Sequence, residues 1–211
     1  VGCPLSCKFC LTGRIGFIRN LTVSEIVSQL WEVRKRFPVT NVVFMGMGEP
    51  LLNWDNVKKA IDIIVGRDGF DLSWRRVTVS TAGIVPVIKE LCNTPSKLAV
   101  SINSTFDEVR SYLMPINKKY PLESLITSLE AYHRETRKMI TLEYVLIKGV
   151  NCNKDEAERL ASIAKRVRGK VNLIPFNETP YIEFKSPEPD EVLSFQKILF
   201  QKLRYIHPHL L

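Results

Sequence analysis

Five short apolar runs limit what this chain can become. They are VVFMGM within Asn41–Met47, VTVST within Arg76–Thr81, LAVSIN at Leu98–Asn103, TLEYVLI at Thr141–Ile147 and VNLIP at Val171–Pro175. Each reads as a continuously apolar strand rather than an alternating one. Segments of helical periodicity separate them. Continuous apolar strands joined by helices predict a parallel sheet covered by helices. One more strand, ending near Val1, would complete an open six-strand barrel. The expected fold class is therefore α/β: a partial (β/α)6 barrel of parallel strands with outer helices. A doubly wound sheet is the competing arrangement. In both, ligands bind beyond the carboxyl ends of the strands.

The helices carry local signals. Thr22-Val-Ser-Glu25 has capping-box form, and Val23, Ile26, Val27, Leu30 and Trp31 then repeat at helical spacing to about Phe37, before Pro38. Asn53 is placed to cap a helix with Val57, Ala60, Ile61, Ile64 and Val65 on one face. A short helix is predicted over Val85–Leu91. Pro121 suits the first position of a helix whose face is Leu122, Leu125, Ile126, Leu129, Tyr132 and His133. Asn153 is placed to cap the helix of Leu160, Ile163, Ala164 and Val167. A polar, proline-rich stretch, Asn177 to Pro189, leads to a last helix at about residues 190–204.

Composition narrows the class. The 211 residues are 45% hydrophobic and 25% charged, ordinary for a folded domain, so disordered and collagen-like chains are excluded. No apolar run reaches the ~20 residues of a membrane helix, and no signal-peptide pattern opens the chain. One domain over residues 1–211 is expected, reading as a region of a longer protein. The net charge is +8, and residues 1–40 hold six basic side chains against Glu25 and Glu32. That excess is either a solvated basic surface or a footprint for a polyanion such as nucleic acid.

Five cysteines, an odd number, argue against a disulfide framework. Three of them fall in Cys3-Pro-Leu-Ser-Cys7-Lys-Phe-Cys10, a C-x3-C-x2-C spacing. Thiolates ligate iron–sulfur clusters, usually four to a cubane. Three local ligands leave one iron open to a non-protein ligand, with Phe9 able to shield the cluster. The alternative is a structural zinc site with a histidine as fourth ligand. His133, His207 and His209 are all remote in sequence. Met45-Gly46-Met47-Gly48-Glu49-Pro50 follows the first strand. Its glycines allow close backbone approach, and its carboxylate can accept from an ammonium group. A glycine-rich strand end with a helix-capping glutamate reads the same way. Met45 and Met47 are read as packing. Glu143, inside a strand, is either a hydrogen-bonding group of the barrel interior or part of a core ion pair.

The cysteine triplet resembles the signature of the radical S-adenosylmethionine (SAM) superfamily. The segments VGCPLSCKFC, GFIRNLTVSEI, NVVFMGMGEPLLN, RRVTVSTAG, PINKKY, TLEYVLIKGVN and VNLIPFN further resemble, in order and spacing, the RlmN/Cfr family of adenine methyltransferases. That resemblance implies a 4Fe–4S cluster held by Cys3, Cys7 and Cys10. It implies S-adenosyl-L-methionine bound on the open iron and cleaved to a 5′-deoxyadenosyl radical. Gly48, Glu49, Ser80, Ser101, Ile102, Asn103 and Asn177 would contact that cofactor. Without the resemblance, Ser80 and Ser101 read as helix caps and Asn177 as a turn residue. The implied substrates are an adenine of 23S rRNA and of tRNA, with carbon 2 favoured over carbon 8. An electron donor such as flavodoxin or ferredoxin, a monomer, a cytoplasmic location and no membrane complete the expectation.

The resemblance stops short of the methyl-transfer cysteines. Family members carry the methyl on a cysteine in an AACGQL-like segment after the last strand. They resolve the RNA adduct with a second cysteine just ahead of the triplet. Neither falls within residues 1–211, where the chain ends YIHPHLL. The chain alone is thus expected to cleave the cofactor without methylating RNA. Cys152 is read as incidental and Cys92 as a small packed residue. Lys8, Arg14 and Arg19 are candidates for phosphate contact. Two other functions remain open on the residues: another radical SAM enzyme such as a glycyl-radical activase, and a zinc-bound RNA-binding module without catalysis.

Overall fold

The computed structural model describes residues 1–203 and, by backbone alone, 209–210. The chain runs α1 (Leu11–Ile15), α2 (Val23–Arg34), β1 (Val42–Phe44), α3 (Trp54–Val65), β2 (Val77–Thr81), α4 (Val85–Ile88), β3 (Lys97–Ser101), α5 (Asp107–Leu113), α6 (Leu122–Thr136), β4 (Ile140–Leu146), α7 (Lys154–Arg166), β5 (Gly169–Pro175), α8 (Pro189–Leu203) and β6 (His209–Leu210). The strands lie in sequence order and every neighbouring pair is parallel. That is the winding of an open β/α barrel. A doubly wound sheet would reverse strand order in the middle. The sixth strand lies at the C-terminal edge, where Asn172 pairs with His209. At the other end Gly2 makes an antiparallel bridge to Phe17.

Register divides each strand into two faces. Val77, Val79, Leu98, Val100, Leu142, Tyr144, Val171 and Leu173 are buried in one continuous core against the helices. The other face carries Thr78, Ser80, Ala99, Ser101, Thr141, Glu143 and Asn172. The strands therefore alternate, and the continuously apolar reading is corrected. Helices cover only the outer face, so the inner face is free to be polar. The first strand is shorter than expected and is not buried: Val43 is 50% exposed. It has a neighbour on one side only. Its free edge opens on a groove of about 650 Å³ that includes Phe17, Leu30, Met45 and Met47.

Helix signals were mostly sound. Thr22 and Glu25 form the reciprocal capping box, and Asn153 accepts from the Glu156 N–H. Three details differ. Asn53 caps nothing: it donates to Leu21 O and accepts from Asn56 Nδ2, because a 3-10 turn, Pro50–Asn53, already leads into α3. Pro121 is the extended residue just outside α6, not its first turn. Trp31 stays 57% exposed on α2, which flanks the open sheet edge. The region between β3 and α6 holds α5, a helix with no clear periodic signal. The end of the chain at 204–208 and 211 lies outside the described residues.

Candidate active site

The cysteine loop sits at the carboxyl ends of the strands. Cys3 donates its N–H to Gly16 O at 2.9 Å and Cys10 donates to Cys7 O at 3.1 Å, while Lys8 N–H donates to Leu113 O at 2.9 Å. Ser6 takes φ 53°, which turns the loop back between the first two thiols. All three thiols are free; Cys3 is buried, and Cys7 and Cys10 are half-buried. Burial pushes Cys3 and Cys7 upward, and repulsion from the neighbouring thiols adds to it; Cys7 is pushed up to about 12. Neighbouring thiolates at Cys3 and Cys7 are thus disfavoured. Among the described residues, no three His, Cys, Asp or Glu side chains converge on a single metal ion. A cluster would take one thiolate on each of three irons, whereas zinc would need all three sulfurs and a fourth ligand on one ion. No described histidine approaches: His133 Nδ1 is bonded to Lys138 O at 2.9 Å.

The Gly-rich turn follows β1. Gly46, Met47 and Gly48 have φ of 91°, 56° and 150°, so the backbone leaves the sheet and exposes its peptide groups. A Cβ on Gly48 would come within 3.1 Å of Gly2 O, so the turn and the cysteine loop are in contact. Glu49 is 8% exposed. Its Oε1 accepts from Leu51 N–H at 3.0 Å and its Oε2 from Ala82 N–H at 2.7 Å. The glutamate does cap the following turn, and it also ties β1 to the end of β2. Burial raises its carboxyl, while the two amide donors oppose the shift.

On the inner face Ser80 donates to Glu143 Oε2 at 2.6 Å. The bond spans β3, although β2 and β4 are ~9.6 Å apart by strand spacing. It passes over small Ala99 and Ser101, the partners of Ser80 and Glu143 in register. Glu143 is a hydrogen-bonding group; the ion-pair alternative is not formed. Asn172 lies beside Glu143 on β5. Its Oδ1 is buried without a partner, an orphan that a polar ligand would satisfy. Ser101, half-buried, is the inner-face residue beside Glu143. Ile102 is fully buried, with its N–H donating to Glu143 O and its carbonyl accepting from Arg110 Nε. Asn103, at φ 57°, accepts from Val145 N–H at 2.8 Å and donates to Met114 Sδ at 3.2 Å. Asn177 is exposed just past β5. Sequence reasoning missed Asn172 and Arg110. A polar residue inside VNLIP was the only available signal for the first.

Burial raises the Glu143 carboxyl above the usual carboxylate range. The native state therefore holds this proton more tightly than the unfolded chain. Ionisation costs stability as pH rises through the native pKa, and the penalty is absent below the unfolded value. Glu143→Gln removes that slope. The expected result is a smaller fall in urea midpoint between pH 4 and pH 8 for the variant than for the parent chain.

Basic residues flank the loop. Arg19 pairs with Glu25 at 2.6 Å, so its charge is already met. Lys8 Nζ lies 3.7 Å above the Tyr112 ring. Lys8, Arg14, Tyr112 and Tyr181 border a depression of about 470 Å³ that reaches Cys7.

The model of the radical SAM superfamily matches residues 1–162. The chain is 49% identical over 203 residues to the dual-specificity RNA methyltransferase RlmN of Geotalea uraniireducens, covering 96% of this chain and 59% of that protein. Its likeness to the RlmN of Geobacter sulfurreducens is 48%, over 96% of this chain and 56% of the relative. A crystal structure of a radical SAM methyltransferase from Sphaerobacter thermophilus superposes with a TM-score of 0.94 at 39% identity, covering 100% of this chain and 63% of that one. The chain thus spans under two thirds of the length of these relatives.

Proposed function

The chain belongs to the radical SAM superfamily, and from that premise we propose that it is the core of an RNA adenine methyltransferase of the RlmN type. The observation that carries the reading is the junction of the two motifs: the Cys3–Cys10 loop touches the Gly46–Glu49 turn through Gly2 and Gly48. Family membership implies a 4Fe–4S cluster and S-adenosyl-L-methionine, and the residues present fit both. Cys3, Cys7 and Cys10 would hold the cluster. The carbonyls of the Gly46–Gly48 turn, steadied by Glu49, would receive the cofactor's ammonium group. Ser80, Ser101 and Asn177 would contact the cofactor from the strand ends, with buried Asn103 and Ile102 holding the segment after β3 in place. Bound together, the two groups supply a one-electron cleavage of the sulfonium.

The protein's own part is to bind, orient and keep dry. Glu49 fixes the turn against β2. Glu143 orients Ser80, and Asn172 beside it on the inner face has a free Oδ1. Leu113, Met114, Ile147, Phe176 and Ile182, packed with Cys7 and Phe9, exclude water from the loop. The bordering Lys8, Arg14 and the two tyrosines suit a phosphate backbone and an unstacked base. The proposed substrates are 23S rRNA and tRNA, with carbon 2 of adenine preferred. Residues 1–211 are taken as one core, with the methyl-carrying and resolving cysteines supplied from beyond them. Cytoplasmic flavodoxin or ferredoxin is the proposed electron donor to a monomer. No described helix is long and apolar enough to cross a membrane.

Anaerobic reconstitution with iron and sulfide tests the reading. A dithionite-reduced EPR signal that changes on adding S-adenosyl-L-methionine is expected. The full protein should then transfer labelled methyl to 23S rRNA. One tightly held zinc and no cluster would overturn it.

A further inference from the structure

Arg110 on α5 is 1% exposed. A buried guanidinium costs several kcal/mol unless it is compensated. Its acceptors here are all neutral. Nε donates to Ile102 O at 3.0 Å, Nη1 to Asn117 Oδ1 at 2.7 Å, and Nη2 to Ala82 O at 2.9 Å and Ser101 O at 3.1 Å. Asp107 stands one turn earlier, but its Oδ1 accepts from Asn117 Nδ2 and Leu122 N–H instead. Among the described residues Arg110 joins no salt bridge. Carbonyl dipoles spread the positive charge, and the Asp107 side chain offsets part of it. Burial brings the group down to about 10, so it remains protonated at neutral pH.

The guanidinium is held at the strand ends. Three of its acceptors are carbonyls at the ends of β2 and β3, beside which the loop packs. Lys8 N–H binds the carbonyl of Leu113, the last residue of α5. Cys7, Phe9 and Ala82 pack on Leu113 and Met114 in one apolar cluster. Arg110 reaches the same ground, because its Nη2 donates to the carbonyl of Ala82, and Ala82 packs on the cluster that Cys7 also packs on. The N–H of that same Ala82 is bound by Glu49, the negative group nearest to it. The PINKKY segment gains a role, since Asn117 holds Nη1 and anchors itself on Asp107 and Ser111.

We propose that Arg110 is a buried counter-charge for the group held by Cys3, Cys7 and Cys10, a positioning residue that sets the potential at which a cluster there accepts its electron. This rests on the cluster reading given above. A fixed cation in a low-dielectric surrounding favours the reduced, more negative state. The half-reduction potential is therefore less negative with Arg110 than without it.

The test compares the full chain with Arg110→Gln and Arg110→Lys after anaerobic reconstitution. Potentiometric titration followed by EPR gives the half-reduction potential. Iron content and the urea midpoint of the metal-free protein are read in parallel. The expected result is a shift to more negative potential in Arg110→Gln and a value near the parent's in Arg110→Lys, although both lose stability. Loss of iron from Arg110→Gln alone also supports the counter-charge. Equal potentials in the parent and Arg110→Gln overturn it. So does an equal shift, or an equal loss of iron, in Arg110→Lys, which tracks lost hydrogen bonds rather than charge. Failure of both variants to fold without metal assigns Arg110 to structural support and overturns it too. A parent chain that takes up no iron instead overturns the cluster reading itself.

Discussion

Cys7→Ala is expected to strip the protein of its cluster, dropping iron from about four per chain to below one after reconstitution. Cofactor cleavage should fall to background with it. Cys7 is the middle thiol of the loop and is half-buried. It packs on Leu113 and Met114, and both other thiols raise its pKa. Among the described side chains no histidine stands by as a spare ligand, because His133 on α6 is engaged with Lys138 O. Cys92→Ala is the matched control. Cys92 packs partly against the main core, away from the loop, so its loss should cost some stability and no iron. Iron analysis and the visible absorption of both variants check the pair. A Cys7→Ala protein that keeps its iron would sink the ligand assignment.

Glu49→Ala is expected to lose about 2–4 kcal/mol of stability and to weaken cofactor binding at least ~10-fold. Each buried donor left without its acceptor costs about 1–3 kcal/mol, and two are orphaned at once, Leu51 N–H and Ala82 N–H. Backbone relaxation offsets part of the sum. The same two bonds fix the Gly46–Gly48 turn, so its carbonyls lose their fixed aim, and one lost charge-assisted contact is worth roughly tenfold or more in affinity. Glu49→Gln should fall between: one amide oxygen still accepts, while the NH2 faces a donor. Urea unfolding and equilibrium binding of S-adenosyl-L-methionine to the reconstituted chain separate the two effects. Parent-like stability in Glu49→Ala would show that the turn is held by other means.

Much of the architecture was legible because it follows from local rules. The capping boundaries at Thr22 and Asn153 and the apolar faces of α3, α6 and α7 each depend on residues within one or two turns. The cysteine triplet and the GMGEP turn were legible for a similar reason. Every donor of each motif lies in one short loop, so spacing alone suggests the chemistry. The inner polar face was harder to see. Ser80, Glu143 and Asn172 are separated by up to ninety-two positions, and each sits in a run that reads as apolar. Only parallel register sets them side by side.

The sequence by itself determined most of the order of elements, the parallel sheet and the cysteine spacing, since periodicity, capping and local motifs act over short distances. Tertiary structure alone decided which strand face meets helices and which lines the cavity. It also decided that Glu49 braces β1 against β2, and that Ser80 reaches Glu143 across β3. It also buried the Arg110 guanidinium, which joins no salt bridge among the described residues. The physical reason is range. Hydrogen bonds within a turn are fixed by neighbours in the chain, whereas burial, dielectric and charge coupling depend on groups that meet only when the sheet closes.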